Sequence, residues 1–217
     1  MMKLIQTIIG IGLWLSFVVC PKVSAQGAAD LLDKAAAKYE HSNGISATFE
    51  LRTKTPTQPA GDRMEGKIEM RGEKFVLETA DVKTWFDGTT QWSYVENNEE
   101  VNVSNPTGDE LKMTNPVLLL SSYQKGFKAT YKGESTATNG KSVFDIELTP
   151  KKKSDIEKVE LQIEKYASLP ARISIVSKNG VTTTIEISKI KTGVNQADSF
   201  FVFNEADYPD VEVIDLR

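Results

Sequence analysis

The most constraining feature of the sequence is an alternation of apolar and polar residues that recurs along most of its length. Phe49 and Leu51 flank a glutamate, and Ile68 and Met70 flank another. Successive side chains of a strand point to opposite faces of a sheet, so this alternation is typical of half-buried antiparallel strands with one apolar face. It returns in residues 75–79, 127–131, 144–148, 159–163, 173–175, 181–187 and 201–203. We count about eleven strands, which predicts a mainly β sandwich or barrel.

Turn residues separate these segments. Asp87-Gly88 and Asn179-Gly180 each lie between two strand candidates. An Asn-Gly or Asp-Gly pair between alternating segments is the strongest short-range signal for a hairpin. The sequence therefore predicts neighbouring antiparallel strands at both places.

Two segments have helical rather than strand periodicity. The first is predicted over residues 28–41, where apolar side chains recur at three- and four-residue spacing, and Asn43-Gly44 ends it. The second begins at Thr114 or Asn115, with Pro116 near its first position and an apolar run at 117–120. Because the second helix is apolar nearly all round, we expect it to cover a hydrophobic concavity or to pack on several sides.

The N-terminus predicts export. Lys3 precedes an apolar run over residues 4–19, and small residues ending at Ala25 form a cleavage site before Gln26. This three-part pattern is that of a secretory signal peptide. Cys20 leaves open a lipoprotein whose mature N-terminus is an acylated cysteine. We expect a signal peptide at residues 1–25 and one domain at residues 26–217.

Composition excludes several functions. Removal of Lys3 and Lys22 with the leader leaves 24 basic residues against 30 acidic ones, a formal charge of −6, so nucleic acid is not an expected partner. Without Cys20 the domain has no cysteine for a disulfide, a thiol nucleophile or a metal site. The only histidine, His41, is interpreted as a helix-end residue favoured by the helix dipole. A pair of glycosidase carboxylates stays open because its geometry is spatial, but we expect no enzyme, no metal and no cofactor.

Two sets of residues allow two interpretations each. Residues 151–153 are three consecutive lysines, which indicate a solvated hairpin tip or a binding patch. The strand segments also carry many large apolar side chains, which indicate either an ordinary core or a sheet curled around an apolar ligand with helices as its lid. These side chains are Phe49, Met70, Phe75, Trp85, Trp92, Tyr94, Phe127, Phe144 and Phe203.

Several segments together resemble the family of outer-membrane lipoprotein carrier proteins, LolA. They are Met70-Arg71-Gly72-Glu73-Lys74-Phe75, Trp85-Phe86-Asp87-Gly88, Gln91-Trp92-Ser93-Tyr94, Glu100-Val101-Asn102-Val103, Asn115-Pro116-Val117-Leu118-Leu119, Phe201-Val202-Phe203 and Asp210-Val211. The resemblance implies an open half-barrel of antiparallel strands capped by helices. It also implies a monomeric periplasmic carrier without a cofactor. Its implied partners are acylated lipoproteins, an inner-membrane ATP-driven exporter and, beyond these, an outer-membrane acceptor.

The resemblance also yields candidate site residues. Arg71 is expected to hydrogen-bond the backbone of the helical lid in the closed form. Trp92 and Tyr94 are expected on the concave face with Phe75 and Leu77, beneath the helix at 117–120. The full set expected to line an acyl cavity is Phe49, Leu51, Met70, Phe75, Leu77, Trp92, Tyr94, Leu118, Leu119, Phe144 and Ile146.

Two departures from the family pattern qualify the expected details. Gly72 follows Arg71 where the family usually has proline, and residues 212–217 lack the strand-like tail of some members. Because distant relatives of this shape bind other lipids, a second function is also kept open: a periplasmic lipid-binding or sensor module that uses the same cavity for another hydrophobic ligand.

Overall fold

The structure, a computed structural model, describes residues 25–107, residue 111 and residues 123–217. Most of the predicted signal peptide, Leu118, Leu119 and the helix expected around them lie outside the described residues. Within the described part of the chain, no helix is long and apolar enough to cross a membrane.

The predicted first helix is confirmed as α1, Ala25–Glu40. Ala28, Leu32 and Ala35 lie on one face of it and are fully buried. The helix ends at Glu40, and the turn that follows it includes Gly44, whose φ of 99° is a backbone conformation that favours glycine. α1 therefore presents a narrow stripe of small and apolar residues to the sheet.

In the described part of the chain, twelve strands follow α1 and form one sheet. Their bounds are β1 Ile45–Lys54, β2 Asp62–Arg71, β3 Lys74–Thr79, β4 Val82–Phe86, β5 Gln91–Val95, β6 Glu100–Ser104, β7 Phe127–Thr136, β8 Ser142–Pro150, β9 Ile156–Glu164, β10 Pro170–Ser177, β11 Thr182–Thr192 and β12 Glu212–Asp215. The order across the sheet is β12-β6-β5-β4-β3-β2-β1-β11-β10-β9-β8-β7. Two meanders thus meet where β1 pairs with β11, and the end strands β12 and β7 leave the sheet open. The predicted fold, a mainly β open antiparallel sheet with a capping helix, is confirmed.

The two predicted hairpin turns are also confirmed. Asp87 lies between β4 and β5, and its carboxylate accepts hydrogen bonds of 2.8 Å from the backbone N–H groups of Thr89 and Thr90. Asn179 lies between β10 and β11, and its side-chain oxygen accepts a 3.1 Å hydrogen bond from the N–H of Val181. Both side chains stabilise the turn by bonding to backbone two or three residues further on.

The C-terminal end departs from the prediction in two ways. Residues 201–203, expected to be a strand, are not one: Phe201 ends a short 3-10 turn at Asp198–Phe201, and the N–H of Val202 bonds to the carbonyl of Ser199. Residues 212–215, expected to lack a strand, form β12, which pairs in parallel with β6. The twelfth strand arises because the chain crosses the sheet before it reaches the free edge of β6.

The two faces of the sheet differ in character. We call the face against which α1 packs the inner face. Its buried members include Phe49, Met70, Phe75, Ile146 and Leu161. The opposite, outer face carries mainly charged and hydroxyl side chains on β1, β2 and β8–β11. On β3–β6 it carries a separate aromatic cluster. The fold thus has one main apolar face and a second apolar area behind part of it.

Candidate ligand-binding face

The inner face brings together most of the candidate residues from the sequence. Phe49, Met70, Phe75 and Ile146 are buried there, and Leu51 and Leu77 are half-buried against the same cluster. The strand register explains this, because Met70 pairs with Phe75 and Ile68 with Leu77 across β2 and β3. Directly paired residues of neighbouring strands point to the same face.

Part of the inner face is only incompletely covered. Leu51 on β1 pairs with Met64 on β2 and with Ile185 on β11. Leu51 and Ile185 are half-buried, and Met64 is 39% exposed. A close-packed core buries side chains of this size, and exposed apolar surface costs roughly 25 cal/mol per Å². Three adjacent apolar side chains therefore form a surface that an apolar ligand can cover.

Glycine shapes the floor of this face beside Phe49. Gly66 pairs directly with Phe49, and a Cβ at Gly66 would lie 2.5 Å from Cζ of that ring and 2.6 Å from the carbonyl oxygen of Glu78. Real Cβ atoms essentially never approach other atoms so closely. Gly66 is therefore required for the Phe49 ring to lie flat against β2.

Trp92 and Tyr94 lie on the other side of the sheet, which corrects their predicted position. Phe75 pairs with Phe86, whereas Val76 pairs with Trp85, which pairs in turn with Trp92. Trp92 and Tyr94 accordingly pack on the outer face, in the cluster with Val76, Trp85 and Phe201. Alternation along each strand predicted two faces, but the pairing of β3 with β4 determines which residues share a face.

Aromatic rings from the C-terminal segment, residues 194–211, cover this outer cluster. The ring centroid of Trp85 lies 5.4 Å from that of Phe203 and 5.8 Å from that of Tyr208, both nearly edge-on. Tyr208 also lies 4.8 Å from Tyr94. Burial raises the pKa of Tyr208, with smaller contributions from Tyr94, Asp207 and Glu78. The outer aromatic area is thus filled by the chain itself and is not a candidate for an apolar ligand.

Phe144 lies at the margin of the inner face. It is two residues from the buried Ile146 and is itself half-buried. Its ring lies 6.2 Å from Tyr131, and the ammonium of Lys165 lies 5.6 Å from its centroid. Phe144 therefore shares the strand face of the candidate site, but near a charged side chain.

Arg71 binds the C-terminal segment, whereas the lid helix that it is predicted to contact lies outside the described residues, so that contact stays a prediction. Because Met70 faces inward, the next residue faces outward. The guanidinium of Arg71 donates hydrogen bonds to the carbonyl of Gln196 and the carboxylate of Asp198, and it lies 5.6 Å from the ring centroid of Phe201. Arg71 thus holds the C-terminal segment on the outer face.

The turn after Arg71 is also bound from the inner side. The hydroxyl of Tyr39, near the end of α1, donates a hydrogen bond to the carbonyl of Gly72. Burial, and secondarily the charge of Glu73, raise the pKa of Tyr39, so its phenol stays protonated as a donor. Gly72 adopts φ 59°, which proline cannot do because its ring fixes φ near −65°. The departure from the family pattern at Gly72 therefore corresponds to a different turn.

The sheet also has a groove, whose lining includes Phe49 and Ile187 but is mainly polar and charged. It has a volume of about 640 Å³ and lies over β1, β2, β3 and β11. Its walls include Glu50, Glu65, Glu78 and Glu186, and Glu50 forms a 2.9 Å ion pair with Arg63. Burying such carboxylates under an acyl chain would be costly. The incompletely covered surface around Leu51 is therefore the better site for an apolar ligand.

The histidine that the sequence analysis assigned to a helix end has a contact of that kind. The ring Nδ1 of His41 donates a 2.7 Å hydrogen bond to the carbonyl of Ala37, as expected of a helix-end residue. Among the described residues, no group of three or more His, Cys, Asp or Glu side chains could hold a metal ion.

The candidate residues from the sequence do not include several members of the inner face, three of which lie beside Leu51 and Phe49. Ile185 and Ile187 on β11 and Met64 on β2 belong with Leu51 and Phe49 by register. The alternation of Ile185 with Ile187 is visible in the sequence. In β2 the apolar residue Met64 is separated from Ile68 by Gly66 at the alternate position between them. Because glycine has no apolar side chain, the period-2 pattern of β2 is hidden there.

The fold and the inner face define a class of protein: an open antiparallel half-barrel with a helix packed against its apolar face. The family model for the outer membrane lipoprotein carrier protein LolA matches residues 21–180. The chain therefore belongs to this family, and the resemblance seen in the sequence is confirmed.

Solved structures share the fold at low sequence identity. An uncharacterized conserved protein from Thermus thermophilus is similar with a TM-score of 0.61 and 14% identity, over 88% of this chain and 99% of that one. MucB is similar with a TM-score of 0.50 and 16% identity, over 82% of this chain and 63% of that one. No curated protein matches the sequence.

Proposed function

We propose that this protein is a periplasmic carrier that binds the acyl chains of lipoproteins on its inner face and moves them from the inner to the outer membrane. The observation that carries the proposal is the incompletely covered apolar surface of Leu51, Met64 and Ile185. Membership of the lipoprotein carrier family supports the choice of cargo.

The physical need for such a surface follows from the cargo. Transfer of an acyl chain into water costs about 0.8 kcal/mol per methylene, so a carrier must cover the chain with apolar side chains. Leu51, Met64 and Ile185 offer flexible or branched apolar groups on three adjacent strands. Release requires that these contacts be weaker than those of a packed core, and partial exposure of the side chains fits this requirement.

The proposed partners follow from the route of the cargo. An inner-membrane ATP-driven exporter would load the carrier, and an outer-membrane acceptor would unload it. The carrier itself needs no bond-breaking step, so its mechanism consists of binding, shielding and release.

A binding experiment tests the proposal. The double variant Leu51→Gln/Met64→Gln should bind a fluorescent diacylated peptide roughly tenfold more weakly than the wild type, because two apolar contacts are lost. Val202→Gln is the matched control, since Val202 is also 39% exposed but lies in the C-terminal segment on the outer face. Equal affinity of the double variant and the control would contradict an inner-face site.

A second experiment identifies the cargo. A photo-crosslinking residue in place of Leu77, on the inner face, should capture triacylated lipoproteins in cells. Capture of free lipids alone would favour the lipid-binding or sensor function instead. The same crosslinker at Val202 should capture neither.

A further inference from the structure

One end of the sheet carries an unusual concentration of positive charge. Residues 124–128, 150–156 and 177–179 meet there, and they contain six lysines and one carboxylate, Asp155. We call these six lysines the lysine cluster: Lys125, Lys128, Lys151, Lys152, Lys153 and Lys178. The whole chain has a formal charge of −4, so the cluster is a local reversal of its charge.

Backbone hydrogen bonds bring the three segments together. The N–H of Lys151 donates to the carbonyl of Gly126 at 2.8 Å, and the N–H of Lys178 donates to the carbonyl of Asp155 at 2.8 Å. The ammonium of Lys151 also donates to the carbonyl of Gln124 at 2.5 Å. The cluster is therefore a continuous surface rather than a run along the sequence.

The lysines of the cluster differ in their ion pairing from the lysines on the outer face of the sheet. Lys158 pairs with Glu160 at 2.6 Å, and Lys132 pairs with Glu147 at 3.4 Å. By contrast, all six lysines of the cluster are exposed, and within the described residues none of them forms an ion pair with a carboxylate. Because no neighbouring carboxylate neutralises their charges, these ammonium groups are available to an external anionic surface.

Apolar residues stand next to these charges. Phe127 and Ile156 belong to two of these segments, are half-buried and pack against the inner-face cluster. Leu51 and Ile185 lie in the half of β1 and β11 nearest this end, where β1 ends and β11 begins. The incompletely covered apolar surface and the lysine cluster are therefore at the same end of the sheet.

We propose that the lysine cluster docks the protein on membranes that contain anionic phospholipids, with this end of the sheet facing the bilayer. The charge is carried by lysine alone, a flexible and strongly hydrated point charge that suits a diffuse layer of phosphates better than a shaped protein pocket. This proposal rests on the proposed carrier function. Docking at this end of the sheet would bring the acyl-binding surface close to the membrane from which the cargo is taken or to which it is delivered.

Vesicle binding tests the proposal. The wild type should sediment with vesicles made of equal parts phosphatidylglycerol and phosphatidylcholine but not with vesicles of phosphatidylcholine alone, and added salt should weaken the binding. The variant Lys152→Gln/Lys153→Gln/Lys178→Gln should bind about one hundredfold more weakly, since each lysine near an anionic surface contributes roughly fivefold. The control Lys34→Gln/Lys38→Gln/Lys191→Gln removes three exposed lysines outside the cluster and should bind as the wild type does.

Three outcomes would overturn docking on anionic membranes. They are equal binding to both kinds of vesicle, unchanged binding of the cluster variant, and absence of vesicle binding while a crosslinker at Lys152 captures an acidic protein in cells. Failure of the proposed carrier function is read separately, from binding of the diacylated peptide without vesicles. The cluster variant should retain that binding and an unchanged thermal unfolding curve.

Discussion

Arg71 and Asp198 are separated by 127 positions in the sequence, yet their side chains form an ion pair at the start of the C-terminal segment. Lys74 reaches the same carboxylate at 2.9 Å. Arg71 makes two further contacts, with the carbonyl of Gln196 and the ring of Phe201, which is fully buried. Arg71 therefore contributes more than an ion pair to this junction.

Substitution of the two partners should have unequal effects. Asp198 is 73% exposed, so Asp198→Ala should lower the free energy of unfolding by less than about 1 kcal/mol. Arg71→Ala also removes a hydrogen bond to a backbone carbonyl and a cation–π contact, and should cost about 2 kcal/mol. Urea unfolding of both variants measures the difference. A larger loss for Asp198→Ala would show that the ion pair dominates.

Gly66 should not tolerate a methyl group. In Gly66→Ala the new Cβ would overlap the Phe49 ring and the Glu78 carbonyl, and the carbonyl belongs to a paired strand that cannot easily move. Overpacking of this kind should lower the free energy of unfolding by about 1–3 kcal/mol. Gly126→Ala is the matched control, because a Cβ there has nothing within 4 Å. Thermal unfolding should separate the two variants, and equal stability would contradict the close contact.

The outer aromatic cluster should serve stability rather than ligand binding. Trp85 is 7% exposed and packs against Phe203 and Tyr208, so Trp85→Ala should cost about 3–5 kcal/mol of unfolding free energy. Affinity for the diacylated peptide, measured at a temperature where the variant remains folded, should not change. Loss of peptide binding with unchanged stability would make this face a candidate site again.

Tyr39 should make stability sensitive to alkaline pH. The raised pKa means that folding favours the protonated phenol, so its contribution is complete below the ordinary value of 10.0 and is lost as pH rises above that value. The unfolding free energy of the wild type should therefore fall above pH 10, and that of Tyr39→Phe should fall less. Some fall should remain in the variant, because burial also raises the pKa of Tyr123 and Tyr208. Identical profiles would exclude a role for the Tyr39 hydroxyl.

Local patterns in the sequence predicted much of this fold. The apolar spacing of Ala28, Leu32 and Ala35 predicted α1 because a helix turns once in 3.6 residues. The Asp87 and Asn179 turns predicted two hairpins because their side chains bond to nearby backbone. Each of these signals involves residues close together in the chain, and so can be read without a tertiary structure.

The candidate site was predicted less completely. The sequence predicts six of the described candidates on the apolar face where they lie: Phe49, Leu51, Met70, Phe75, Leu77 and Ile146. It also predicts Trp92 and Tyr94 on that face, although both belong to the outer cluster. Period-2 alternation assigns the residues of one strand to two faces but does not say which of them faces the core.

What the sequence alone determined is therefore the set of elements, the apolar character of their faces and the family resemblance. The tertiary structure decided the pairing of Val76 with Trp85, the partners of Arg71 and the parallel position of β12 beside β6. Each of these depends on residues far apart in the chain. Their contact free energies are realised only when the sheet has brought the strands into register, so no local pattern encodes them.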